Sequence, residues 1–101
     1  MKMPATVAAF AFLAANGAAH AADPNLARNL AATCANCHGT NGHALAGSGI
    51  DMLAGVPKAV TLQKLAEFKS GTRPATIMHQ ISKGYTDEQL DLIATHFAAQ
   101  K

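Results

Sequence analysis

Cys34, Cys37 and His38 form a C-x-x-C-H sequence, which is the attachment motif of c-type haem. Cysteines at positions i and i+3 near the end of a helix lie on one face, about one turn apart. Both sulfurs can therefore reach the two vinyl groups along one edge of a porphyrin and form thioethers. His38 then offers a neutral imidazole nitrogen as an axial ligand to the iron. The motif predicts one covalently bound haem c.

Three other uses of the cysteine pair are weaker. A redox dithiol favours a βαβ context and a helix N-terminus, whereas this pair is predicted at a helix end. A structural zinc site needs four protein ligands, and the sequence contains 2 cysteines in all. A disulfide between Cys34 and Cys37 would constrain little, because the stabilisation grows with the length of the closed loop.

An electron carrier normally needs a second axial ligand, and a methionine thioether favours the reduced iron. Met78 is preferred because it follows the second predicted helix, where the chain can return over the open haem face. Met78 as simple core filler is the ordinary alternative. Met52, His43 and His79 remain candidates, and His79 would give a bis-histidine haem. We expect His43 to be a solvated loop residue and His79 to be partly exposed.

The first 21 residues are predicted to be a secretory signal peptide. Lys2 gives a positive start, residues 5–15 are apolar, and residues 19–21 have the small-x-small pattern of a cleavage site. A membrane anchor is the alternative, but a spanning helix needs about 20 apolar residues, and residues 16–17 interrupt this run. We expect residues 22–101 to be the mature domain and to lie in the periplasm, because c-type haem is generally attached outside the bacterial cytoplasm.

Residues 22–101 are long enough for one domain. Chains of this size bury only about 60% of their unfolded surface and often need a cofactor or crosslink, and a covalent haem would supply apolar volume. Without Lys2, seven basic residues stand against six acidic ones. Nothing in this nearly even balance suggests the clustered basic face that nucleic-acid binding requires.

The periodic segments indicate an all-α fold, since no segment alternates with the two-residue period of a strand. Asp23 as N-cap and Pro24 at the first helical position predict a first helix that ends near Ala35. Residues 39–57 contain five glycines without a sustained period and are predicted to be a loop.

Three further helices are predicted. One spans about residues 60–69 and ends at Ser70-Gly71 as a glycine cap, and a short one spans residues 75–82. Thr86 and Gln89 form the sequence of a capping box before the last helix, on which His96 is expected to pack with a satisfied ring nitrogen. The apolar residues at helical spacing on that helix are Leu90, Ile93, Ala94 and Phe97.

Residues 22–101 resemble a class I cytochrome c domain: a helix leading into the haem motif, a middle helix, a methionine loop and a last helix. Within that class they are similar to the cytochrome subunit of flavocytochrome c sulfide dehydrogenase and to repeats of related periplasmic diheme cytochromes. The resemblance implies three to four helices around one haem, with Cys34 and Cys37 as anchors and His38 and Met78 as iron ligands. The similar segments are residues 34–42 (CANCHGTNG), 53–55 (LAG), 65–71 (LAEFKSG) and 81–85 (ISKGY).

Two positions depart from the family pattern. A proline usually follows the glycine at Gly47, and its carbonyl accepts a hydrogen bond from the haem-ligating histidine. This chain has Ser48 there, and we expect the Ser48 carbonyl to accept that bond from His38. His96 stands where the family usually has a tyrosine. The diheme proteins have two C-x-x-C-H motifs, whereas this chain has one.

The resemblance implies one-electron transfer and not catalysis by this chain. The leading hypothesis is the haem subunit of a sulfide dehydrogenase, which would accept electrons from a flavoprotein partner. A charged fraction of 14% supports a lasting partner, because a shuttle often uses charge to steer its encounters. The alternatives are a free shuttle to a terminal oxidase, a haem enzyme or gas sensor with a labile sixth ligand, and an assembly module.

Overall fold

The computed structural model describes residues 23–101 as four α-helices joined by loops. The described residues contain no strand, which confirms the all-α class. The predicted signal peptide at residues 1–21, and the cut that would follow it, lie outside the described residues. The helices are α1 (Leu26–His38), a short 3₁₀ helix (Thr40–Gly42), α2 (Lys58–Ser70), α3 (Met78–Lys83) and α4 (Asp87–Ala98).

Helix α1 begins later and ends later than the sequence predicted. The Asp23 carboxylate accepts the Asn25 backbone N–H at 2.8 Å, as a capping residue would. However, Pro24 and Asn25 form a turn, and the helix starts only at Leu26. At its other end the helix continues through Cys34 and Cys37 to His38. The haem motif is therefore the last turn of α1.

Helix α2 ends in the predicted glycine cap. Gly71 has a left-handed backbone (φ +83°), and the Thr72 N–H donates to the Glu67 carbonyl at 3.0 Å. This pairing satisfies a carbonyl that the helix end leaves free. The helix starts at Lys58, directly after Pro57, and so is longer than predicted.

Helix α3 is shorter than predicted, because regular helix starts only at Met78. Met78 is therefore the first residue of α3. The Ser82 hydroxyl donates back to the Met78 carbonyl at 2.8 Å and is fully buried. This bond fixes the turn that begins at Met78.

Helix α4 provides most of the apolar core. Its predicted capping box is present: the Thr86 hydroxyl accepts the Gln89 N–H at 3.1 Å, and the Gln89 side chain accepts the Thr86 N–H at 2.9 Å. Such a cap is worth about 1 kcal/mol. The buried apolar residues of the described chain are Ala31 of α1 and Leu90, Ile93, Ala94 and Phe97 of α4, so the predicted inward face of α4 is confirmed.

The first and last helices pack together, and the middle helix joins the last helix to α3. Helix α1 packs against α4, and α2 packs against both α3 and α4, whereas α1 and α3 are not among the extensively packed pairs of residues 23–101. The haem motif and Met78 thus lie on helices joined through their neighbours. None of the helices in residues 23–101 has the length and apolar character needed to cross a bilayer.

Candidate functional site

The last turn of α1 places the two cysteines in different environments. Cys34 is half-buried and packs against the core of α1 and α4, whereas Cys37 is exposed. The two cysteines do not form a disulfide. The pair therefore extends from the core edge to the surface along one face of the helix, as a planar group with one buried edge would require.

The electrostatics of Cys34 disfavour a redox dithiol. Burial, the largest influence on this thiol, raises the pKa of Cys34. A reactive cysteine needs a lowered pKa, because the thiolate is the nucleophile. Within residues 23–101, no three His, Cys, Asp or Glu side chains converge as a metal site would require.

The chain turns sharply after His38, and only glycine fits at the next position. Gly39 has φ +83°, its N–H donates to the Ala35 carbonyl at 3.0 Å, and a Cβ there would lie 2.0 Å from the His43 carbonyl oxygen. Beyond this turn, the Leu53 N–H donates to the Gly42 carbonyl at 2.9 Å. Residues 43–52 therefore form a closed loop beside the end of α1.

This loop orients His38. The His38 Nδ1 atom lies 2.7 Å from the Asp51 carbonyl oxygen, a distance typical of a strong hydrogen bond. Because a carbonyl only accepts, Nδ1 carries the proton and Nε2 keeps its lone pair. Metal-ligating histidines are oriented in this way, so His38 is held in the tautomer that can bind iron through Nε2.

The partner predicted for His38 was wrong. The Ser48 N–H donates to the Leu45 carbonyl at 3.1 Å and its hydroxyl accepts the Ile50 N–H at 3.2 Å, so Ser48 builds a turn within the loop. The bond to His38 comes from the carbonyl of Asp51, three residues later. The Asp51 carboxylate lies 3.7 Å from Lys64 Nζ, which ties the same residue to α2.

Met78 is half-buried and lies on a different helix from the other three predicted site residues. The structure brings Cys34, Cys37 and His38 together in one turn, with the Asp51 carbonyl against the histidine. Met78 belongs to α3, which packs on α2. The assignment of Met78 as an iron ligand stays a prediction.

The other candidate ligands differ in exposure. Met52 is 52% exposed in the loop and His43 is exposed, as predicted for a solvated residue. His79 is half-buried, and its Nδ1 atom is buried without a hydrogen-bond partner, which no sequence pattern indicated. His96 packs edge-on against Phe97, with ring centres 5.4 Å apart.

Large apolar side chains remain exposed in the loop after α1, on α2 and at α3. Unburied apolar groups of this size indicate a binding surface when they cluster. A large apolar group with polar edges, such as haem, would suit exposed side chains of this kind and the oriented His38. These side chains are Leu45, Ile50 and Met52 in the loop, Val60 on α2, and Ile77 and Ile81 at α3.

An all-helical domain whose first helix ends in C-x-x-C-H, followed by a loop, two helices and a last helix packed on the first, has the class I cytochrome c fold. No protein-family model matches the chain. Individual cytochromes do match it, and they agree with the family resemblance found in the sequence.

Three curated relatives carry this similarity. The chain is 40% identical over 68 residues to the cytochrome subunit of sulfide dehydrogenase from Chlorobaculum tepidum, over 67% of this chain and 60% of the relative. It is 35% identical over 69 residues to the thiosulfate dehydrogenase electron acceptor of Stutzerimonas stutzeri, over 68% and 32%. It is 34% identical over 90 residues to cytochrome c4 of Pseudomonas aeruginosa, over 88% and 44%.

The chain thus spans between about a third and three fifths of the length of these relatives. All three are cytochromes or electron acceptors by name, and their similarity implies that this chain binds haem c.

Proposed function

We propose that this chain is a one-electron carrier that holds a single haem c through thioethers to Cys34 and Cys37, with His38 and Met78 as the iron ligands. The observation that supports it best is the 2.7 Å hydrogen bond from His38 Nδ1 to the Asp51 carbonyl. A histidine that follows C-x-x-C and is oriented in this way has no simpler use than iron binding.

Each residue has a distinct role in this proposal. When bound, haem c supplies the one-electron Fe(III)/Fe(II) couple. Cys34 and Cys37 fix the cofactor to the last turn of α1, and the Asp51 carbonyl keeps the His38 ring from rotating. Met78 supplies a soft sulfur donor, which favours the reduced iron and raises the reduction potential.

Replacing Met78 tests the second axial ligand. In the haem-loaded Met78→Ala variant we expect the absorption band of sulfur-ligated ferric haem to disappear and the reduction potential to fall, while mass spectrometry still finds covalent haem. Met52→Ala is the matched control, because Met52 is an exposed methionine of the same chain, and it should keep the band. Loss of the band in Met52→Ala but not in Met78→Ala would contradict the assignment.

His79 is the remaining alternative ligand. A bis-histidine haem would lack the sulfur band in the wild-type protein and would lose its low-spin spectrum in His79→Ala. We expect the opposite on both counts. A wild-type spectrum without sulfur ligation that changes only in His79→Ala would replace Met78 by His79 in this proposal.

The finer proposal is that the chain is the haem subunit of a sulfide dehydrogenase that accepts electrons from a flavoprotein. It is supported by the 40% identity to the relative of that name. Charge also supports it, because four of the basic side chains form ion pairs with acidic ones: Lys58 with Asp91, Lys64 with Asp51, Lys69 with Asp87 and Arg73 with Glu67.

A surface neutralised in this way steers transient partners poorly, whereas exposed apolar side chains such as Leu45 and Ile77 suit a lasting interface. Size-exclusion chromatography of the native protein, with haem and flavin absorbance recorded together, tests this. Co-elution of flavin with haem, and rapid haem reduction on adding sulfide, would support the subunit.

A free electron shuttle to a terminal oxidase is the second candidate. The match to cytochrome c4 favours it, because that match extends over 88% of this chain. A small haem-only peak that sulfide does not reduce would establish the shuttle in place of the subunit. A haem enzyme or gas sensor would instead bind an external ligand in the resting protein, with Met78 already displaced.

We also propose that the mature protein is periplasmic and begins at Ala22. The proposed covalent haem supports export, since haem of this type is generally attached outside the bacterial cytoplasm. Intact-mass measurement of the native protein would test both points at once. A mass that includes residues 1–21 would contradict the predicted signal cleavage.

A further inference from the structure

A side-chain hydrogen bond links α1 to the chain segment directly after α3. The Tyr85 hydroxyl oxygen lies 2.6 Å from Thr33 Oγ1. Thr33 directly precedes Cys34, and Tyr85 follows Lys83, the last residue of α3, by one intervening glycine. The bond therefore spans two helices that do not pack extensively against each other in residues 23–101.

The direction of this bond follows from its neighbour. Thr33 Oγ1 also donates to the Leu30 carbonyl at 3.1 Å. A threonine hydroxyl has one proton and two lone pairs, so its proton is used within α1. Tyr85 is consequently the donor, and Thr33 Oγ1 accepts.

Tyr85 is itself firmly held on the opposite side. Lys69 Nζ of α2 donates to the Tyr85 carbonyl at 2.9 Å and to the Asp87 carboxylate at 3.2 Å. The Tyr85 ring packs against the core formed by α1 and α4. Its backbone is thus tied to α2 and to the start of α4, and its hydroxyl is the group that reaches α1.

We infer that Tyr85 is a positioning residue that sets the separation between the helix containing His38 and the helix containing Met78. This inference rests on the proposed function, in which these two residues bind one iron. A fixed separation stabilises the Met78 sulfur at the iron against replacement by an external ligand. The Thr33–Tyr85 bond provides that constraint beside Cys34, where the cofactor would be anchored.

The test is the affinity of the ferric, haem-loaded protein for added imidazole, which competes with Met78. Tyr85→Phe keeps the ring and removes only the donor, so we expect imidazole to bind about five-fold more tightly, as the loss of one net hydrogen bond would give. Thr95→Val is the matched control. It removes a hydroxyl that donates to the Asp91 backbone carbonyl at 2.8 Å within α4, away from this link, and should leave imidazole affinity unchanged.

A double-variant series separates positioning from general stability. Thr33→Val should reproduce the effect of Tyr85→Phe, the double variant should add little to either, and Thr33→Ser should restore wild-type affinity. Equal imidazole affinity in Tyr85→Phe and the wild type, with lower resistance to denaturant, would overturn the inference and leave a merely structural bond. Independent, additive effects of the two variants would also overturn it.

Failure of the proposed function gives a different result. A wild-type ferric spectrum without the sulfur band would overturn Met78 ligation before any Tyr85 variant is made. If Tyr85→Phe does not yield folded protein, the comparison of Thr33→Val with Thr33→Ser decides the inference alone.

Discussion

The two halves of this domain differ in how completely the chain covers its own apolar side chains. Where α1 packs on α4, Phe97 is only 1% exposed and Ala94 is fully buried. Along the loop and α3, Leu45 is 81% and Ile77 is 57% exposed. The first half has a buried core, whereas the second half leaves large apolar side chains exposed, which the proposed haem would cover.

This difference assigns separate sources of stability to the two halves. The α1–α4 half depends on side-chain packing, and the other half depends on the proposed haem. With five buried apolar residues in the described chain, the core is small even for a short domain. The predictions below test how far each half depends on the other.

Removing the cysteines should have the largest effect. In a Cys34→Ser/Cys37→Ser variant, we expect loss of covalent haem and loss of a cooperative unfolding transition, because the remaining core is too small to support the fold. Circular dichroism during thermal unfolding measures this. A cooperative transition at the wild-type temperature would show that the α1–α4 core suffices alone.

A paired truncation compares the halves in the haem-loaded protein. Phe97→Ala should lower the free energy of unfolding by about 3–5 kcal/mol, the usual cost of removing a buried aromatic ring. Leu45→Ala should change it by less than about 0.5 kcal/mol, since Leu45 is mostly exposed. Urea unfolding monitored by helix signal gives both values, and a similar cost for the two variants would refute the division.

Two glycines with similar backbone angles test the contact between the loop and the core. A Cβ at Gly42 (φ +81°) would lie 2.8 Å from Phe97 Cδ1 and from the Ala54 amide nitrogen, whereas a Cβ at Gly49 (φ +72°) meets nothing within 4 Å. We expect Gly42→Ala to cost about 3 kcal/mol, from left-handed strain plus overpacking.

Gly49→Ala should cost only the strain, about 1–2 kcal/mol. Denaturant titration of the two variants side by side measures the difference, which isolates the close approach. Equal costs would mean that the loop moves away from Phe97 without penalty.

The smallest effect is expected at the seam between the halves. Lys69→Met removes the bonds to the Tyr85 carbonyl and to Asp87 and should cost about 1 kcal/mol. Lys83→Met, which removes a lysine outside the four ion pairs of the described chain, is the control and should be near neutral. Unfolding should be measured at low and at high salt. At high salt, part of the destabilisation by Lys69→Met should remain, because the bond from Lys69 to the Tyr85 carbonyl is partly buried.

The sequence predicted most about those parts of the fold that local patterns determine. The Thr86 capping box, the apolar face of α4 and the Gly71 cap are all confirmed. The start of α1 was wrong because an aspartate can cap the second amide of a turn as well as that of a helix. Helix α3 was predicted to start too early, since regular helix begins only at Met78.

The site was less predictable than the fold. The C-x-x-C-H motif placed three residues in one turn, but the partner of His38 is a backbone carbonyl, which leaves no side-chain signal in the sequence. The buried nitrogen of His79 and the bond from Tyr85 to Thr33 depend on tertiary contacts between distant segments. Periodicity and spacing contain no information about either.

The contact between α1 and α4 also imposes an order on how the molecule is made. These are the first and last helices of the described chain, so Ala31 is buried against Ile93 and Phe97 only when the two ends of the described segment meet. Closing so long a segment is entropically costly and slow. Until α4 closes on α1, Cys34 and Cys37 lie on an open chain, so the proposed thioethers could form before the core closes.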